Sequence, residues 1–166
     1  MKNKSSKSNR IYLESLWSAL ILVLLIHLQG CAKKQVDGIK ISEDLSSHHT
    51  FFERQEFKKL IEKSLQKDRK SFVESIDFNC GGAGDCYDLG IIFTEIIYQI
   101  GEGETIQLIQ KLTPQQARRL DFLIRAGLEY GDLNNDGEVD NKTIEKEFPK
   151  LNDLLINLKR CEECIQ

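Results

Sequence analysis

Histidine is scarce in this chain: there are three in 166 residues, and only His48 and His49 lie beyond the first thirty. Both fall in a polar stretch that reads as a linker. A Ser-His-Asp or Cys-His arrangement would therefore draw its base from a segment that holds no fixed geometry, which catalysis tolerates badly. A phosphate cradle is missing too, because Gly81-Gly82-Ala83-Gly84 lacks the Lys-Ser/Thr ending that such a loop requires. Glu74, Asp77, Glu95 and Glu102 are scattered, with no spacing that sets two carboxylates face to face. The expectation is a protein that is not an enzyme. Nor is there a basic excess. The formal net charge is −3, and without the first thirty residues, which hold four Lys/Arg and one Glu, it becomes −6. That balance argues against nucleic acid and against a charge-driven grip on anionic lipid. Repeats and low-complexity runs are absent as well.

What the chain does have begins at its start. Lys2, Lys4, Lys7 and Arg10 precede the apolar run Leu16–Leu28, and Gly30 precedes Cys31. Thirteen residues are too few for a spanning helix, which needs about 20. A basic region, a short apolar region and a small residue at the cut describe a secretory signal peptide over residues 1–30. Leu28-Gln29-Gly30-Cys31 resembles the lipobox of bacterial lipoproteins, with Gln29 where a small or apolar residue is usual. The resemblance implies cleavage before Cys31 and lipidation of its thiol. Ala32 rather than Asp follows, which by the same resemblance implies the outer membrane, facing the periplasm or the cell surface. A lipoprotein anchor of several chains holds firmly where one chain would not.

Residues 31–49 read as a flexible tether, with a short helical turn at Ser42–Leu45. Residues 50–166 read as one α-helical domain. Phe57, Leu60, Ile61 and Leu65 recur at helical spacing, and Phe72, Val73 and Ile76 form a second stripe. Tyr87–Ile100, with Asp85 as its expected N-cap, is apolar nearly all round and reads as the central helix. Thr105–Leu112 is a further helical stretch. Thr113-Pro114-Gln115-Gln116 is a capping box opening a helix to about Tyr130. Ile144–Phe148 is helical in pattern, and Pro149 starts a separate helix with Leu151, Leu154, Leu155 and Leu158 as its stripe. No convincing strand remains. The expected fold is all-α, a bundle of five or six helices.

Between the helix that ends at about Tyr130 and the helical stretch from Ile144, Asp132, Asn134, Asp136, Gly137 and Asp140 set oxygen donors in alternation with glycine at the bend. This helix–loop–helix resembles EF-hand and dockerin calcium loops. With Asp132 as the first position, Asn134, Asp136 and Gly137 match the third, fifth and sixth. The resemblance implies a backbone carbonyl from Glu138, direct or water-mediated ligation by Asp140, and inward packing of Val139. Thr143 stands at the twelfth position, where these loops carry a bidentate acid, and Glu145 is the nearest carboxylate to replace it. The implied ion is one weakly held, structural Ca2+.

Four further cysteines, Cys80, Cys86, Cys161 and Cys164, read as two disulfides in an exported chain. Local pairs are one arrangement. Crossed bridges would close far longer loops and tie the tail to the central helix, and this tips the expectation towards them. Two glutamates between Cys161 and Cys164, placed after a helix, disfavour a redox-active pair. The spacing of the four is irregular for zinc. The sequence thus points to a lipid-anchored binding or structural protein of the cell envelope, braced by calcium and disulfides. An immunity or inhibitor protein that neutralises a toxin or hydrolase is the alternative.

Overall fold

The computed structural model describes residues 35–160, so Cys31, Cys161 and Cys164 lie outside the described residues, as do the signal segment and the start of the expected tether. The fold is all-α apart from one small hairpin. The described residues form strands β1 (Gln35–Val36) and β2 (Ile39–Lys40). Helices follow in the order α1 (Glu43–Ser47), α2 (Phe51–Leu65), α3 (Arg69–Ile76), α4 (Ala83–Ile100), α5 (Glu102–Ile109), α6 (Pro114–Tyr130), α7 (Ile144–Glu147) and α8 (Pro149–Arg160).

The hairpin corrects the tether. Asp37 and Gly38 both adopt positive φ, 46° and 90°, which is the two-residue turn that an Asp-Gly pair favours. Val36 then pairs with Ile39 across an antiparallel ladder. Val36, Ile39, Ile41 and Leu45 are all buried in the main core. Each such side chain contributes about 1.5–3 kcal/mol when fully buried, far more than a free linker could forgo. Ser42 caps α1 by accepting from the Leu45 N–H at 3.1 Å, and its hydroxyl donates to Asp88 at 2.6 Å. This segment runs antiparallel to α4, since the Asp37 carbonyl accepts from Gln99 and His48 lies 3.4 Å from Asp85.

Helix α4 is central, as its composition predicts: Leu89, Ile92, Phe93, Ile96 and Ile97 are buried around its circumference. Its start differs from the expectation. Gly82 is the N-cap, and Asp85 sits one turn in, where its carboxylate accepts from the Gly82 N–H at 2.9 Å. Asp85 still satisfies an orphan donor of the first turn, but from inside the helix. Gly101, at φ 90°, ends α4 and caps α5, whose first residue Glu102 lies three residues before the expected start at Thr105.

The capping box at Thr113 and Gln116 forms with Pro114 at the first helical position. A second box, Thr50 with Glu53, opens α2. Helix α6 lies against α4 through their backbones. A Cβ at Gly90 would collide with the Leu123 carbonyl oxygen, and one at Gly127 would collide with the Gly90 carbonyl and the Thr94 hydroxyl. Only residues without a side chain allow this approach. Arg119 of α6 also donates to the carbonyls of Ile76 and Phe78, which satisfies the exposed end of α3. Pro149 starts α8 separately, as expected, with Leu151 and Leu155 fully buried.

Candidate cation-binding loop

Residues 131–143 join α6 to α7. The loop is built first as a cap on α6. The Asp140, Asn141 and Lys142 N–H groups donate to the carbonyls of Gly131, Glu129 and Leu128 at 2.8, 3.3 and 2.9 Å. The outgoing strand of the loop thereby satisfies acceptors that the end of α6 leaves unpaired. Asn135, Gly137 and Asn141 take positive φ of 59°, 91° and 50°, all residue types that tolerate it.

The side chains of the alternating positions turn inward on the loop's own backbone. Asp132 accepts from the N–H groups of Asp136 and Gly137, each at 3.0 Å. The Asn134 side-chain oxygen accepts from the same Asp136 N–H, also at 3.0 Å, so these two oxygens lie side by side. Asp136 accepts from the Glu138 N–H at 2.8 Å and from the Asn134 amide at 2.8 Å. Asp140 is the most buried donor. Its side chain is 6% exposed, it accepts from the Leu133 N–H at 2.9 Å and it lies 3.3 Å from the Lys142 ammonium.

The structure therefore brings Asp132, Asn134 and Asp136 together and sets Asp140 across the loop as a clasp. Glu138 is exposed on the rim. Glu145 is directed elsewhere: it forms a 2.7 Å ion pair with Arg125, which holds its carboxyl below the usual range. Arg125 also binds Asp121 and Asn152, so Glu145 helps to lock α6, α7 and α8 together. Val139, expected to pack inward, is 51% exposed. In type, the donors are all oxygen and fit a hard cation. Among the described residues, no three His, Cys, Asp or Glu side chains converge at metal-holding distance, and Asp132, Asp136 and Asp140 each accept from a backbone N–H.

Beside the loop lies a shallow cleft of about 340 Å³, lined in part by Glu95, Tyr98, Asn134 and Lys142. One Glu95 oxygen is buried there without a partner among the described residues. Burial pushes this carboxyl up, and the charge of Lys40 partly offsets the shift. The Tyr98 hydroxyl donates to Glu147 at 2.6 Å, and Lys142 lies 5.7 Å from the centre of the Tyr98 ring. Burial, followed by the bond to Glu147, raises the Tyr98 phenol far above its ordinary value. Glu95 was visible in the sequence only as an acid on an apolar helix. The cleft that makes it unusual arises from the contact of α4 with a loop forty residues further on.

The cysteines settle one alternative. Cys80 and Cys86 form a disulfide across the start of α4, with Cα atoms 5.0 Å apart. The crossed arrangement is thereby excluded for this pair. The glycines between the cysteines bend the chain sharply enough, with Gly81 at φ 83°, to make the short closure feasible. Comparison of the chain with family models, with curated proteins and with solved structures yields no match.

Proposed function

We propose that this chain is a bacterial lipoprotein: a helical binding or structural module of the cell envelope, held to the outer membrane through Cys31. The loop at Asp132–Asp140 takes one Ca2+ that sets the angle between α6 and the last helices. The observation that carries the reading is the Cys80–Cys86 disulfide, because structural disulfides persist in oxidising compartments outside the cytosol. It agrees with the basic and apolar leader that ends at a cysteine. Strand β1 begins four residues after Cys31 in the sequence. In the loop, Asp132, Asn134 and Asp136 would supply side-chain oxygens and Glu138 a carbonyl. With Glu145 committed to Arg125, water would complete the shell and affinity would be low, about 10⁻⁴–10⁻³ M as in extracellular modules.

Metabolic labelling with palmitate tests the anchor. The wild-type chain is expected to take up label and Cys31→Ser to take up none. An unlabelled wild type would sink the anchored reading. Melting with and without millimolar calcium tests the loop. The wild type should melt higher with the ion, and the Asp132→Ala/Asp136→Ala double variant should lose that response. A variant that responds as the wild type does would remove calcium from the account.

A further inference from the structure

The acidic balance of the chain is unevenly spread. Phe51 to Lys70, which is α2 and the start of α3, holds seven Lys/Arg and four Asp/Glu, a net +3, whereas the rest of the chain after residue 30 carries −9. Helix α2 turns Phe57, Ile61 and Ser64 into the core. At 3.6 residues per turn, the opposite face belongs to Phe52, Lys59 and Lys63, with Phe51 and Lys58 beside them and Glu56 and Glu62 at its edges. Lys58 and Lys59 enter no ion pair among the described residues. A protein that is acidic as a whole thus carries one basic helix face.

Two aromatic rings stand at the first turn of the same helix. Phe51 is 61% and Phe52 81% exposed, and the rings meet edge to face at 5.8 Å. A loose chain end does not account for this exposure. Thr50 and Glu53 close a capping box around the same turn, and His49, just before it, is buried against the ring of Phe78. The fold therefore holds two large apolar side chains out in solvent, beside the basic face. Strand β1, where the described residues begin, packs against this helix. Aromatic tips, lysines on long apolar stems and a far side committed to the core suit a helix that lies at a lipid–water boundary. The type of cation favours lipid over a fixed macromolecular partner. Lysine is a hydrated point charge that matches a fluid array of headgroup phosphates, whereas planar recognition calls on arginine. The one arginine of α2, Arg54, donates back to the Ser46 carbonyl at 3.5 Å.

We propose that the outer face of α2 rests on a membrane surface containing anionic lipid, with Phe51 and Phe52 among the headgroups and Lys58, Lys59 and Lys63 over the phosphates. That a bilayer stands beside the domain rests on the anchored reading, but contact with added vesicles does not. The test uses the full chain with Trp17, its one tryptophan, replaced by Phe, and with either Phe52→Trp or Phe122→Trp as a fluorescent reporter. Vesicles of equal parts phosphatidylglycerol and phosphatidylcholine should move the Phe52→Trp emission to shorter wavelength, and brominated acyl chains should quench it. The Phe122→Trp reporter, at an exposed position of α6, should show neither effect. Because the signal arises at one residue, attachment through the leader or a lipid cannot mimic it. Lys58→Gln/Lys59→Gln/Lys63→Gln should remove most of the shift, and Lys111→Gln/Lys146→Gln/Lys150→Gln, which removes the same charge elsewhere, should keep it. No shift at position 52, equal shifts at both positions, or equal loss in the two lysine variants would overturn the proposal. Duplex DNA at the same phosphate concentration producing the same shift would overturn the assignment to lipid. Palmitate labelling decides the anchor separately, so either reading can fail alone.

Discussion

Glu95 places a carboxylate on the most apolar helix of the bundle, with one oxygen buried and, among the described residues, unpartnered. Burial raises its pKa above the ordinary range, so the folded state favours the protonated form. Its contribution to stability is then fully present below the ordinary carboxylate value and is lost as pH rises through the raised one. Glu95→Gln should therefore melt with the wild type near pH 4 and above it at pH 7. A gap of the same size at both values would assign the effect to packing instead of charge. At this scale the sequence was readable wherever a residue acts on its neighbours. Thr113 and Gln116 cap α6 as their spacing implies, and Pro149 opens α8. Asp85 was harder, because a capping carboxylate looks alike in sequence whether it stands before the first turn or inside it. His49 was misread for a different reason. Nothing local says that Phe78, almost thirty residues away, covers its ring.

At the scale of elements, the contact of α4 with α6 depends on Gly90 and Gly127 lying back to back. Gly127→Ala is expected to cost about 3 kcal/mol or more, since the methyl meets backbone that cannot swing aside. Urea melts would show this as a lower midpoint at unchanged slope. A loss under about 0.5 kcal/mol, as for a surface substitution, would mean that the helices part easily. The helices themselves were legible because their apolar residues recur within one element, as the buried set on α4 does. The hairpin was overlooked although Val36-Asp37-Gly38-Ile39 carries its turn signal. With two-residue strands there is no alternation to read, and only contact with the core shows that these residues are ordered. The loop was legible as a loop. Its internal pairing was not, because which oxygen meets which N–H depends on the path of the chain between them.

At the scale of the whole molecule, the disulfide closes a separation of only six residues. Reducing it, or replacing both Cys80 and Cys86 with Ser, is expected to cost about 2 kcal/mol in the chain-entropy model. The helical fold should survive, which far-ultraviolet dichroism and melting under reductant would show. Collapse on reduction would mean that the bridge organises more than the turn at the start of α4. The hairpin has a consequence for how the protein can be gripped. It lies along the C-terminal half of α4, whereas His48 and the start of α2 meet the first turn of α4, and that helix is about 27 Å long. Any pull transmitted through Gln35 thus enters beside the C-terminal half of α4, and His48 with the start of α2 meets the opposite end of that helix.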